Sequence, residues 1–327
     1  MVADPGRWPA ALRVYDVTGD VVSIGRWQLA PERAAGNGAI LMRRLSGGRA
    51  AAFGAGFVGV TLVLPARGAL LEPASATLRP EQVMNRYVRG VLGGLERAGV
   101  AAIYPGRDTI TARRRLLGVV SFTEARTGAL LVEAILAASG DPSALPRLLD
   151  RSDPGGVVRT AMLLPSDTTS IAAEQGSVPA LQQLADWMAD GHAARLGVAP
   201  VARTLAPDEA ERVSTLAAAA FGDASWLSAR RPRDELGRRA SAATMLGTLD
   251  VHLALGAGGH IQDACISGDL IAGDDTIPAL EEALRGCPAD RAAIGGAVQR
   301  VLTEPHRFLL GVGPVDTLVD TVMKACG

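Results

Sequence analysis

Lysine is all but missing from this chain: of 33 basic residues, Lys324 is the only one, and the rest are arginines. Histidine is nearly as scarce, with His192, His252, His260 and His306 the full set, and the three cysteines (Cys265, Cys287, Cys326) all fall late. The first 191 residues therefore contain no Lys, His or Cys. Any chemistry in that region proceeds without the usual nucleophiles and general bases. An odd cysteine count without metal-like spacing reads as buried or incidental thiols in a reducing compartment, so a cytoplasmic protein is the default expectation. No apolar window of about 18 residues occurs, and the opening MVADPGRWPA has no basic segment followed by an apolar run, so neither a membrane span nor a signal peptide is expected. A net charge of -1 argues against a dedicated nucleic-acid binder. Arg113-Arg114-Arg115 and Arg230-Arg231 then read as solvated local clusters.

What is present alternates short β-rich runs with turns. LRVYDV (12–17) and DVVSIGRWQ (20–28) read as strands, with Thr18-Gly19-Asp20 as the turn between them. NGAILMRR (37–44) leads a third strand into a glycine pair, and RAAAFGAGFVGVTLVLP (49–65) reads as a long strand or hairpin. Pro80 and Gly99 bracket a helix over about 80–98, with Val83, Tyr87, Val88, Val91, Leu92 and Leu95 on one face. LLGVVSF is an apolar strand, and ALLVEAILAA (129–138) fits a strand or a helix equally well. Helices over about 178–195 and 207–221 precede SARRPRDELGRR (228–239), a polar bend read as the domain boundary. Beyond it lie a β-meander turning at Gly256–Gly259 and two helices, about 276–286 and 290–303. The fold class is α+β, divided as 1–232 and 238–327.

RRLSGGRAAAFG (43–54) places three cations around the most flexible turn of the chain. A glycine pair usually marks a tight turn. Its chemical alternative is a backbone cradle, in which N–H groups free of Cβ converge on an anion and flanking guanidiniums add charge-assisted bonds. Arg43 and Arg44 cannot both face one side of a strand. Arg44 and Arg49 are expected to frame the anion site, with Arg43 facing out.

VVSIGRWQ (21–28), RRLSGGRA (43–50), GAGFVGVTLVLP (54–65), GRDTI (106–110) and RRLLGVVSF (114–122) occur in that order. ISGDLIAGDDTIPALEEALRG (266–286) follows near the end. Together they resemble the lipoate–protein ligase A family, whose relatives include octanoyltransferases and biotin ligases, over nearly the whole chain. The resemblance implies a ligase-like catalytic domain of mixed β-sheets with flanking helices and a small α+β accessory domain. It implies that lipoate or octanoate reacts with ATP to give an acyl-AMP, and that a lysine of a lipoyl domain then takes the acyl group. The acceptor would belong to a 2-oxoacid dehydrogenase complex or be a glycine-cleavage carrier protein. Neither step requires an enzyme nucleophile, which fits a first domain without Cys or His. Carried over position by position, Arg44, Ser46, Gly47, Gly48 and Arg49 would border the acyl-adenylate. Gly106, Arg107 and Asp108 stand where the family has a Gly-Arg-Asn-Asp element, so Asp108 would help hold Mg²⁺-bound ATP. Gly118 matches the glycine after the family's Arg-Lys pair.

This chain departs from the pattern at several places. Arg115 stands where the family has its lysine, and a planar guanidinium is not a compact ammonium. Phe53 and Gly54 replace a His-Asp pair, Phe57 and Gly59 replace polar residues, and ALLVEAIL replaces a His-Gly-Thr run, which places Glu133 on an apolar strand. A buried carboxylate needs a partner, and Arg113 to Arg115 are its candidates. The strand and helix that usually precede VVSIGR are reduced, leaving room for a second subunit. Three functions follow: an active ligase with Arg115 as its catalytic cation; a degenerate member that binds acyl groups, nucleotide or lipoyl domains without ligation; and an acyltransferase working from a carrier protein. The third needs a cysteine in the first domain, and none precedes Cys265. A biotin ligase is disfavoured by the lack of a helix-turn-helix segment ahead of the motifs. Trp226 reads as a domain-closing residue and Lys324 as a surface cation near a helix end.

Overall fold

The structure, a computed structural model, describes residues 10–30, 39–71, 77–144, 164–221, 224–230 and 236–327. Its centre is a six-stranded sheet in the order β1-β5-β9-β8-β7-β6. The strands are β1 (Ala11–Tyr15), β5 (Phe57–Leu64), β9 (Leu130–Ala137), β8 (Arg115–Glu124), β7 (Thr109–Ala112) and β6 (Ala102–Ile103), each antiparallel to its neighbours. A small sheet of β3 (Ile40–Arg43), β2 (Asp20–Ile24) and β4 (Ala51–Gly54) covers one face, with β2 and β3 parallel. The chain thus changes sheet at two of the expected hairpins. Thr18-Gly19-Asp20 carries it from the large sheet to the small one, and the Ala55-Gly56 turn carries it back, so 49–65 is a corner. ALLVEAILAA is a strand, and its apolar residues feed the cores on both sides of the sheet.

Helices α1 (Pro80–Arg97) and α3 (Leu181–Leu196) pack on the other face of the large sheet. Pro80 sits in the first turn of α1, Gln82 accepts from the Arg79 amide at 2.9 Å, and Gly99, at φ 73°, ends the helix. These are the start and stop devices that the sequence spells out. The two helices approach closely because Gly90, Gly93 and Gly94 meet Gly191: a Cβ on Gly191 would fall onto the Gly94 amide. His192 lies in this seam, buried, with Nδ1 at 2.7 Å from the Met188 carbonyl, and burial pulls its pKa below the usual value. An imidazole so placed favours the neutral form. Its contribution to stability is fully present above about pH 6.5, the unperturbed value, and is lost as the pH falls toward the depressed folded-state value. His192→Gln is therefore expected to flatten the fall in unfolding free energy between about pH 8 and about pH 5, measured by urea titration.

The short α2 (Ile171–Gln175), α4 (Pro207–Phe221) and α5 (Ala224–Leu227) complete the first unit. α4 is amphipathic as expected, yet Val213, Leu216 and Phe221 stay exposed. The C-terminal unit is the expected meander, β10 (Arg238–Ala243), β11 (Thr248–Leu255) and β12 (Ile261–Gly268). It is covered by α6 (Thr276–Leu284), α7 (Arg291–Leu302) and α8 (Val315–Cys326), with its own apolar core. The pair β13 (Ile271–Ala272) and β14 (Leu309–Leu310) closes it. The bend over 228–239 lies partly outside the described residues, Arg231 included. Arg230 is not a solvated cation: it is buried and ion-paired to Glu281 at 2.7 Å. Cys265 and Cys287 are buried and Cys326 is half-buried. No helix among the described residues is long and apolar enough to cross a membrane.

Candidate functional site

The glycine loop leaves β3 and runs between the two units. Arg43 was expected to face out, but it is 4% exposed and turned inward. Its guanidinium donates to the carbonyls of Gly25 (3.1 Å), Arg26 (2.9 Å), Gln28 (2.6 Å), Leu227 (2.8 Å) and Arg230 (3.4 Å). Burial, together with Arg230 and Arg26 nearby, pulls its pKa down to about 10. Trp226 completes this clamp by donating its indole N–H to the Arg43 carbonyl at 2.9 Å.

Arg44 is also a brace rather than an open ligand arm. It is 7% exposed and donates at 2.8 Å to each of the Ser23, Gly47 and Arg49 carbonyls. With those carbonyls held inward, the loop amides point elsewhere. The Ser46 N–H donates to Glu133 at 2.9 Å, and the Gly48 N–H donates to the Leu270 carbonyl at 2.8 Å. Glu133 thus pairs with the loop and not with Arg113 to Arg115. Gly47 lacks a side chain for a specific reason: a Cβ there would fall inside the Leu270 carbonyl oxygen. The glycine pair is a seat for the C-terminal unit.

Arg49 ion-pairs with Asp108 at 2.8 Å, and its Nε contacts both carboxylate oxygens. Burial opposes the charge on Arg49, but the Asp108 carboxylate outweighs it and raises the pKa. Asp269, from the C-terminal unit, approaches the same pair. It accepts from Gln28 at 2.7 Å and from the Thr248 amide at 2.9 Å, and burial pushes its pKa up to about 7. Two hydroxyls beside the loop, Ser46 Oγ and Ser121 Oγ, are buried without a hydrogen-bond partner. Ser121 looks across Gly48 toward Asp108: a Cβ on Gly48 would stand 3.4 Å from one and 3.6 Å from the other. A buried hydroxyl with no partner is costly, so it marks where a polar ligand group would be welcome.

An apolar cleft opens from Arg49. Ala50, Ala51, Ala52, Phe57, Val119 and Ile135 line it. It is small, with about 20 Å³ of free volume, on the order of one water molecule.

Arg115 stands outside this cleft. β7 and β8 pair Ile110 with Gly118 but Thr111 with Leu116, which leaves Leu117 as a bulge. The side-chain alternation reverses there. Leu117 and Val120, three apart, both reach the helix-side core, while Leu116 and Gly118 line the cleft. Arg115 leaves on the helix side, where Glu174 of α2 accepts from it at 2.6 Å and from Arg113 at 3.1 Å. Burial would raise the Glu174 pKa, but the Thr169 hydroxyl and both arginines overcome it and hold it low. Arg113 and Arg114 form the two-residue turn at φ 49° and 65°, a strained conformation for residues other than glycine. Gly106 and Arg107 are exposed ahead of Asp108. Among the described residues no three His, Cys, Asp or Glu side chains cluster to hold a metal, and both oxygens of Asp108 are taken by Arg49. The expected metal role of Asp108 does not fit this arrangement.

Reading the sequence missed Ser121, Glu174 and Asp269. Ser121 carried a signal, as a lone hydroxyl in the apolar run LLGVVSF. Glu174 and Asp269 had none, since the partners that tie them to β8 and to the first unit, Arg115 and Gln28, lie 59 and 241 residues away.

A six-stranded sheet capped by a three-stranded one, with a basic glycine loop at the seam and a C-terminal unit docked on it, defines a mixed α+β fold. Residues 237–306 match the bacterial lipoate protein ligase C-terminus family. The chain is similar to LipL1 of P. falciparum in complex with lipoate, at 14% identity and a TM-score of 0.66, over 96% of this chain and 85% of that one. It is similar to the bipartite lipoate protein ligase studied with its E2 lipoyl domain from Thermoplasma acidophilum, at 18% identity and a TM-score of 0.56, over 68% and 86%. A lipoate-protein ligase A bound with ATP aligns at 18% identity and a TM-score of 0.53, over 67% and 85%. No curated protein sequence matches the chain. The structural likeness establishes the fold, and with the C-terminal match it supports a member of the lipoate–protein ligase A family.

Proposed function

We propose that this protein activates lipoate or octanoate with ATP and transfers the acyl group to a lysine of a lipoyl domain. The division into 1–232 and 238–327 belongs to the same proposal. The observation that carries it is one juxtaposition: a small apolar cleft lined by Arg49 and Val119 lies beside the buried, unpartnered Ser121 hydroxyl two residues along β8, a polarity suited to an amphipathic carboxylate. The solved structures that share this fold include one in complex with lipoate and one bound with ATP, which supports the same pair of ligands here. In the reaction a carboxylate oxygen attacks the α-phosphate, pyrophosphate leaves, and the acceptor amine later displaces AMP from the mixed anhydride. Arg49 and Ser121 hold the carboxylate, and the Gly48 amide becomes a phosphate donor once the Leu270 carbonyl withdraws. Mg²⁺ enters with ATP as part of the substrate.

A second reading is favoured by the Arg115–Glu174 pair. A cation held on the far side of the bulge does not stabilise charge in the cleft, and the protein would then bind acyl groups without ligating them. Intact-mass spectrometry of a lipoyl domain incubated with the protein, Mg²⁺, ATP and octanoate separates the two. The expected result is a mass gain of one octanoyl group that vanishes without ATP. No gain, with a control ligase working in the same buffer, overturns the ligase reading and leaves binding.

A further inference from the structure

The bend over 228–239 ends in Gly237-Arg238-Arg239, and the two arginines open β10. β10 lies at one edge of the C-terminal sheet, paired with β11, and none of its six residues is buried. Ser241, within it, is exposed. Its hydroxyl donates to Asp250, the residue directly opposite on β11, and that residue is 2% exposed. Arg239 reaches the same carboxylate oxygen at 3.3 Å, and Arg238 donates to the Cys326 carbonyl at 2.6 Å. An edge strand without a buried side chain is the easiest element of a sheet to lift away. Once lifted, it presents an extended segment in which two guanidiniums precede an exposed hydroxyl, Arg238-Arg239-Ala240-Ser241.

We propose that Ser241 is a phosphorylation site for a serine kinase that selects arginines ahead of its target. Such a kinase recognises its substrate by charge, through acidic residues in its own groove. In the transfer, Ser241 Oγ bonds to the γ-phosphorus of ATP and the bridging P–O bond to ADP breaks. The hydroxyl proton passes to a carboxylate base of the kinase. The proposal stands apart from the acyl reading and holds for a ligase and for a binding protein alike. The modification has a defined consequence. A phosphoserine carries about −1.5 to −2 charges, and the place it would return to is beside the buried Asp250 carboxylate. Arg239 cannot neutralise both anions, so the modified strand stays off the sheet. Release of the six residues of β10 lengthens the connection between the two units by about 20 Å.

The test is incubation of the full chain with ATP, Mg²⁺ and the catalytic subunit of the cyclic-AMP-dependent protein kinase, an arginine-selecting enzyme. Intact mass, peptide mapping and hydrogen exchange are then read. The expected result is one phosphoryl group, mapped to Ser241 and missing in Ser241→Ala. Arg238→Gln should slow its addition by about tenfold or more, the scale of one lost charge-assisted contact. That variant keeps the test alive if Ser241→Ala fails to fold by circular dichroism. In the modified protein the β11 amides that face β10 should exchange about tenfold faster or more, while those of α1 and α3 keep their protection. No phosphoryl gain while a control peptide is modified in the same tube, or a phosphate mapped elsewhere, overturns the site. A phosphate on Ser241 with unchanged β11 exchange overturns the release of β10.

Discussion

Arg43→Ala is expected to cost about 3–5 kcal/mol of folding stability, the scale seen when one partner of a buried charged network is removed. The loss is large because the guanidinium is shared by five backbone carbonyls from two distant segments, 25–28 and 227–230. The Gly25 and Arg230 carbonyls keep the Gln28 and Ala30 N–H groups as partners, so the loss falls on those of Arg26, Gln28 and Leu227, at about 1–3 kcal/mol for each buried acceptor left unpaired. Against a total stability of roughly 5–15 kcal/mol, this depletes much of the reserve. Arg43→Lys should not rescue, since one ammonium cannot span the fork that the guanidinium presents. Urea denaturation checks both, and a change below about 1 kcal/mol in Arg43→Ala would show that the clamp relaxes around its absence. An exposed Arg43 would have given that small change.

Gly47→Ala is expected to loosen the C-terminal unit rather than the whole protein. The new Cβ meets the Leu270 carbonyl and the Ile271 Cα, both backbone atoms in a fixed turn, so neither can step aside as a flexible side chain would. The seam would open where the Gly48 N–H donates to Leu270, and strain would pass to the Gln28–Asp269 bond and to the Asp274 N–H, which donates to Glu124 at 3.0 Å. Overpacking of this kind costs about 1–3 kcal/mol, which corresponds to roughly fivefold to 150-fold faster amide exchange at Gly48 and Asp274. The amides of α1 and α3, on the far side of the large sheet, should keep their protection. Uniform acceleration across both would instead mean that the two units unfold together. The same seam occupies the donors that an acyl-adenylate would use, so the substitution also reports how tightly docking and ligand binding compete.

Much of this was legible in the sequence. Pro80, Gly99 and the spaced apolar residues between them defined α1, because a helix needs only local start, stop and periodicity. The meander over 238–268 followed from alternation and a glycine turn for the same reason. The shortage of Lys, His and Cys in the first 191 residues restricted the chemistry to positioning and charge, and the order of the motifs pointed to the fold of the lipoate–protein ligases. Tertiary structure decided what local pattern cannot carry. Which sheet a strand joins depends on partners far along the chain, so 49–65 turned out to be a corner. A single unpaired residue, Leu117, reverses alternation and sends Arg115 to Glu174, away from the cleft. The three cations around the glycine pair were visible from composition, but their tasks were not. Burial and the carbonyls available nearby made Arg43 a clamp and Arg44 a brace, and only Arg49, paired to Asp108, remains beside the cleft, because a guanidinium out of water must find its acceptors wherever the fold has placed them.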